Sequence, residues 1–235
     1  MDERFSRTAM MLGEEAVKKL AASTVAVFGV GGVGGACVEA LARGGIGHIV
    51  LIDKDTVSIS NINRQIIALS SNVGMAKTEA AKVRIADICP DTKVTVHNCF
   101  FLPDKAEEFD FSAYDYVVDA VDTVSAKLSI CECASKAGVP VISAMGAGNK
   151  LDATRFCVAD VYDTKVCPLA RAMRTNLKKR GIKSLKCVYS EELPVQCAQS
   201  LTDEDSGKPI PGSVSFVPPV MGYIMAGEVI KDLIN

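Results

Sequence analysis

The residues best placed to do chemistry begin at Gly29. The run Gly29-Val30-Gly31-Gly32-Val33-Gly34-Gly35 satisfies Gly-x-Gly-x-x-Gly directly after a short β-branched stretch. In that setting the first glycine allows a tight turn, the next ones let backbone amides approach phosphate oxygens, and the following helix offers the partial positive charge of its N-terminus. Asp53 stands where an acid accepts hydrogen bonds from a ribose hydroxyl, and Asp55 follows it. Asn61, Arg64, Gln65 and Lys77 come next. A dinucleotide needs one acid and a backbone nest, whereas a triphosphate carries about four negative charges and calls for cationic side chains and usually a metal. Two cations and an amide suit the triphosphate, so ATP is the expected nucleotide. A nicotinamide oxidoreductase or a binding module on the same loop is the competing reading, and glycines that serve only close helix-to-sheet packing are the bland one. Asp119 and Asp122 close a later strand and are expected to point the same way, which puts Asp122 at the carboxyl edge of the sheet within reach of magnesium.

These groups need a sheet to hold them. Thr24 to Gly29, His48 to Asp53, Lys93 to Asn98, Tyr116 to Ala120, Val139 to Ser143 and Arg155 to Asp160 read as strands, several of them apolar throughout, as strands buried on both faces are. Helices are expected over Arg4 to Ala22 with a break near Gly13, and near Gly32 to Arg43, Gly74 to Ile88, Val124 to Ala137, Pro168 to Lys179 and Val220 to Leu233. Alternation of this kind predicts an α/β, Rossmann-like, mostly parallel sheet with helices on both faces, plus a C-terminal extension. Residues 1–150 are expected to form the nucleotide-binding core and 151–235 a basic extension of the same domain. Thr202 to Gly212, rich in charge, Gly and Pro, reads as a mobile surface loop.

Composition narrows the class. Across 235 residues, 49% hydrophobic and 23% charged content excludes disordered, collagen-like and coiled-coil chains. Nine cysteines without a Cys-x-x-Cys pair argue against a disulfide framework and a zinc knuckle, so no zinc is expected and reduced thiols in a cytoplasm are. The apolar run Ser213 to Gly227 contains Pro218 and Pro219 and is too short for a membrane span of about 20 residues. His48 and His97 fall within expected strands and read as structural. Cys157, Cys167, Cys187 and Cys197 read as incidental rather than reactive thiols.

Taken together, Arg4-Phe5-Ser6-Arg7, the glycine turn, Leu51-Ile52-Asp53-x-Asp55-x-Val57, Ser60-Asn61-x-x-Arg64-Gln65, Lys77 and Asp119-x-x-Asp122 resemble the ubiquitin-activating-enzyme superfamily of adenylyltransferases over about residues 1–147. The resemblance implies ATP-dependent adenylation of a carboxylate. Asp53 would hold the ribose, Asn61, Arg64 and Lys77 the phosphates, and Asp122 the magnesium. Arg7 matches an arginine that members insert into the neighbouring subunit's site, which implies a homodimer. The chemistry agrees: a carboxylate is already ionised at neutral pH, so positioning and charge neutralisation do the work.

The formal charge is −2, yet Thr164 to Lys186 holds Lys165, Arg171, Arg174, Lys178, Lys179, Arg180, Lys183 and Lys186 with no acid. At helical spacing Arg171, Arg174 and Lys178 share a narrow arc opposite Leu169, Met173 and Leu177. The face suits a phosphodiester backbone; a solvated basic helix is the alternative. Cys167-Pro168-Leu169-Ala170-Arg171, Lys178-Lys179-Arg180-Gly181-Ile182-Lys183, Val188-Tyr189-Ser190-Glu191-Glu192 and Gly212-Ser213-x-x-Phe216-Val217-Pro218 resemble the branch of that superfamily that dehydrates threonylcarbamoyladenosine in tRNA. That branch implies a tRNA substrate, cyclisation through an acyl-adenylate and a possible sulfur-transfer partner. Adenylation of the C-terminal glycine of a ubiquitin-like or sulfur-carrier protein is the alternative.

Overall fold

The β-branched apolar runs do form strands. In the computed structural model, which describes residues 2–199, 201, 202, 207 and 209–235, Thr24–Phe28 (β1), His48–Ile52 (β2), Lys93–His97 (β3), Tyr116–Asp119 (β4) and Val141–Ala144 (β5) lie parallel in the order β3-β2-β1-β4-β5. Phe156–Asp160 (β6) and Lys186–Ser190 (β7) extend this same sheet, β7 parallel to β5 and β6 antiparallel at the edge.

Helices Ser6–Leu12 (α1), Glu14–Ala22 (α2), Gly32–Gly44 (α3), Lys77–Ile88 (α4), Val124–Ala137 (α5), Pro168–Lys179 (α6) and Pro218–Ile234 (α7) surround the sheet. On one face Val25, Val27, Leu41, Ile49, Leu51, Ile85, Met221 and Met225 bury the contact with α3, α4 and α7. On the other, Phe28 packs edge-on to Phe101 at 5.0 Å and parallel to Phe111 at 5.5 Å, with Ala126 and Ile130 of α5 closing the layer. A third cluster seats α6 through Met173 and Leu177 against Leu185, Cys187 and Tyr189. This is a Rossmann-like α/β architecture.

Three boundaries differ from the sequence reading for local reasons. Val139 does not open a strand, because Gly138 ends α5 at φ 72° and the Val139 amide turns back to Ala134 O. Residues 74–76 do not open a helix, because they pair with 55–57 through Gly74 N to Val57 O and Val57 N to Met75 O, both 2.8 Å, so α4 starts at Lys77. Pro218 and Pro219 occupy the first turn of α7, where a proline forfeits no hydrogen bond, so that helix starts earlier than expected. Strand β7 has no counterpart in the sequence reading. Its five residues follow a basic stretch that masks the apolar signal, yet Cys187 and Val188 are fully buried between β5 and β6. Of the expected loop Thr202 to Gly212, residues 203–206 and 208 lie outside the described residues; Thr202 and Pro209 form an antiparallel bridge. No helix among the described residues is long and apolar enough to cross a membrane.

Candidate active site

Chain order reverses between β1 and β4, and the loops leaving their carboxyl ends meet there, where ligands of open parallel sheets bind. Gly29 has φ 88°, and a Cβ on it would lie 2.7 Å from Ala120 O in the loop after β4. At Gly34, in the first turn of α3, a Cβ would lie 1.8 Å from Gly29 O. Both glycines are therefore steric requirements of the turn, which aims the free amides at the start of α3 outward. Gly31 and Gly32 complete it, the latter beneath Arg64 and Pro218.

Asp53 follows β2 and accepts from Val30 N at 2.7 Å and Asp55 N at 2.8 Å, which fixes its carboxylate beside the glycine turn. The pairing of 55–57 with 74–77 brings Lys77 to Asp55: Lys77 N donates to Asp55 O at 2.9 Å and its ammonium to Asp55 Oδ2 at 2.7 Å. The Lys77 side chain is 8% exposed while Asp55 is half exposed, so the ammonium is a preset cation and not a solvated surface charge. Asn61 caps a 3-10 turn through Ser58 N to Asn61 Oδ1, 3.1 Å. Arg64 Nη1 donates to Ser60 O and to Asn63 Oδ1, each at 2.9 Å. Gln65 is buried with its amide nitrogen 3.8 Å from the Gly31 Cβ position, and its Oε1 has no hydrogen-bond partner among the described residues. A buried acceptor without a donor costs about 1–3 kcal/mol, and here it lies beside the turn that would cradle phosphate.

The expected pairing of Asp119 and Asp122 on one strand face is corrected. β4 ends at Asp119, and the two acids are three positions apart. Asp119 turns inward, where its Oδ2 accepts from Lys127 Nζ at 3.0 Å and from Ser143 Oγ at 2.5 Å, with Asp119 and Lys127 both 0% exposed. Its Oδ1 accepts from Val121 N at 3.3 Å, which pins the loop that Gly29 packs against. Asp122 lies beyond, exposed, and among the described residues only Thr123 Oγ1 donates to it, at 3.2 Å. Sequence reasoning missed Lys127. Its one signal was a lysine flanked by Ala126, Leu128 and Ile130 in an otherwise apolar helix face.

The structure thus gathers Gly29, Gly31, Gly32, Gly34, Asp53, Asp55, Asn61, Arg64, Gln65, Lys77 and Asp122 on the loops of one sheet edge, and leaves Arg7 away from it. Helix α1 buries none of its seven residues, and the preceding Phe5 packs on Gly45, just ahead of β2, at the amino edge.

The basic segment is divided. Arg174 Nη1 turns back onto Thr164 O at 2.8 Å and onto the Thr164 hydroxyl, Arg180 pairs with Glu132 at 2.9 Å, and Lys186 pairs with Asp232 at 2.7 Å. Arg174 therefore does not join the outward row expected from the helical arc. Arg171, Lys178, Lys179 and Lys183 are exposed. α6 starts beside the loop that leaves β5, with Cys167 Sγ 3.9 Å from the Gly146 Cβ position. Among the thiols, Cys187 is pushed up to about 12 by burial and Cys167 is buried, whereas Cys157 is half-buried and Cys197 exposed.

Known proteins share this fold. The chain is 43% identical to a tRNA threonylcarbamoyladenosine dehydratase of Bacillus subtilis, covering 100% of this chain and 96% of the relative. It is 36% identical to one of Escherichia coli, covering 98% and 93%. The crystal structure of the Escherichia coli tRNA N6-threonylcarbamoyladenosine dehydratase in complex with ATP superposes with a TM-score of 0.88 at 36% identity, covering 98% of this chain and 93% of that one. Its complex with AMP gives 0.89, covering 98% and 94%. With the ThiF family profile matching residues 5–235 as well, the chain belongs to the ThiF family.

Proposed function

We propose that this chain uses ATP to activate the threonyl carboxylate of threonylcarbamoyladenosine in tRNA and closes it to a ring with loss of water. The observation that carries this reading is the buried Lys77 ammonium, preset on Asp55 at the same sheet edge as the glycine turn, Asp53 and Arg64, in a chain whose full-length relatives bear that enzyme's name.

Each group then has a task. Asp53, already held by the Val30 and Asp55 amides, accepts from the ribose hydroxyls. The glycine-turn amides and the start of α3 hold phosphate oxygens, and the Gln65 amide nitrogen, 3.8 Å from the Gly31 Cβ position, donates to them. Arg64 and Lys77 neutralise charge, and Asn61 hydrogen-bonds the phosphates, as a carboxylate oxygen bonds to the α-phosphorus and pyrophosphate leaves. A carbamoyl atom next attacks the acyl carbon and AMP departs. The second step is intramolecular, so proximity supplies it and no cysteine is required.

Asp122 fits a magnesium ion, which commonly takes one or two carboxylates along with phosphates, because it is exposed and offers an oxygen free of the Thr123 contact. Bound there, magnesium would offset triphosphate charge. Arg7 is assigned to the partner subunit's site in a homodimer, because α1 lies at the opposite sheet edge from Lys77 and leaves Met10 and Met11 85% and 84% exposed. Arg171, Lys178, Lys179 and Lys183 form the track for the tRNA backbone, leading from α6 toward the loop after β5. The chain is assigned to the cytoplasm, in keeping with its nine cysteines and the absence of a Cys-x-x-Cys pair.

The test is mass spectrometry of tRNA nucleosides from cells with and without the gene. The modified nucleoside is expected to be lighter by one water only when the gene is present; equal masses would refute the reading.

A further inference from the structure

Asn63 joins the side chain of its neighbour Arg64 to a backbone carbonyl far along the chain. Its Oδ1 accepts from Arg64 Nη1 at 2.9 Å and its Nδ2 donates to Ser213 O at 3.0 Å, 150 residues along the chain. A guanidinium only donates and a carbonyl only accepts, so the amide can face only this way. Ser213 ends the segment Pro209–Ser213, and Gly212 next to it is tied to the loop leaving β5. Gly212 N donates to Asn149 Oδ1 at 2.6 Å, Asn149 N donates to Gly212 O at 2.8 Å, and Pro211 packs over Gly148. Asn149 holds this double contact at φ 56°, a left-handed conformation.

The span has a direct consequence. Asn63 belongs to the loop after β2 and Asn149 to the loop after β5, three strand spacings apart, or roughly 14 Å. Gly212 and Ser213 are consecutive, so the two asparagine side chains and this one dipeptide join the loops after β2 and β5 across the carboxyl ends of β1 and β4. It then runs into α7, whose Pro218 rests on Gly32. The glycine turn and Asp122 follow β1 and β4, so a substrate carboxylate that comes from this side meets residues 211–213.

We propose that Asn63 is a positioning residue that ties the Arg64 guanidinium to the Pro209–Ser213 strap, so that the seating of the strap on Asn149 sets how well the tRNA carboxylate is received beside ATP. The inference rests on the tRNA reading above. Asn63 touches neither substrate in this account. It acts through Arg64 on one side and the strap on the other.

The experiment compares the full-length protein with Asn63→Ala, Asn149→Gly and the double variant. Glycine keeps the left-handed backbone at 149 and removes only the side chain. ATP affinity is read by calorimetry without tRNA, and KM and kcat by AMP release with tRNA bearing threonylcarbamoyladenosine. Loss of a strap anchor is expected to raise the KM for tRNA about tenfold in each single variant. The Asn149→Gly protein should bind ATP within about twofold of the wild type. The double variant should be no worse than the poorer single one, since both release the same strap. A tRNA KM unchanged in Asn149→Gly, single effects that multiply, or an equal loss in ATP affinity and tRNA KM, as general loosening would give, overturns the proposal. A wild-type protein that makes no AMP from the modified tRNA overturns instead the functional reading beneath it.

Discussion

Replacing Lys127 with methionine tests the part of the site that lies deepest. In the native chain the ammonium is 3.0 Å from Asp119 Oδ2, both side chains are 0% exposed, and Ser143 Oγ shares the same oxygen. Methionine fills most of the lysine volume, so the packing change is small, but Asp119 is left as a buried charge with one hydroxyl and one distant amide. Breaking a buried pair in this way costs about 3–5 kcal/mol, whereas replacing both partners with neutral groups costs far less. For a chain of this size each kcal/mol moves the melting midpoint about 2–4 °C, so Lys127→Met is expected to melt about 6–20 °C lower. Urea titration followed by circular dichroism gives the free energy, and calorimetry the midpoint. The double variant Asp119→Asn/Lys127→Met should recover most of the loss in stability. It should still bind ATP more weakly than wild type, because the Asp119 contact to Val121 N that pins the loop under Gly29 is weakened. A single-variant loss below about 1 kcal/mol, or a double variant no more stable than the single one, would refute the reasoning.

Other consequences follow from the same geometry. Gly34→Ala places a Cβ 1.8 Å from Gly29 O, so the turn must shift and ATP binding by calorimetry should be lost; retained affinity contradicts the role given to the turn. Glu39, 4% exposed, would be raised by burial alone, but hydrogen bonds from Arg84 and Arg43 outweigh this and hold its carboxyl below the usual range. A depressed native value means that its stabilisation is complete above the unfolded value of about 4.3 and is lost as pH falls through the lower folded one. Urea midpoints of Glu39→Gln should therefore be reduced near neutrality and converge with wild type in acid. Charge reversal at Lys178 and Lys179 should raise the KM for tRNA and flatten its dependence on log salt by about 1.5; an unchanged slope would remove these lysines from the tRNA track.

Much of this was legible from residue types alone. The strand, glycine turn, helix and acid from Thr24 to Asp53 follow from local sterics and apolar pattern, so their placement is readable in the sequence. Lys77 and Asp55 were each singled out, but their pairing depends on the bridge of 55–57 to 74–77, a contact between two irregular segments that no periodicity announces. Strand β7 was hidden because Lys178 to Lys186 reads as a charged surface, and only its position between β5 and β6 makes Cys187 and Val188 core. Helical spacing placed Arg174 outward with Arg171 and Lys178, yet a long side chain can fold back, and three acceptor oxygens, the Val161 and Thr164 carbonyls and the Thr164 hydroxyl, draw it inward. The contacts of Asn63 and Asn149 with residues 212–213 join positions far apart in the chain and leave no trace in local pattern.

The central claim is that Lys77 and its neighbours at the sheet edge spend ATP on a carboxylate carried by tRNA. The most direct measurement is AMP and pyrophosphate release from ATP with three acceptors in parallel: tRNA bearing threonylcarbamoyladenosine, the same tRNA unmodified, and a diglycine-tailed carrier protein. The account predicts stoichiometric AMP with the modified tRNA alone, abolished by Lys77→Ala. AMP formed with the diglycine protein instead, or formed undiminished by Lys77→Ala, would contradict it.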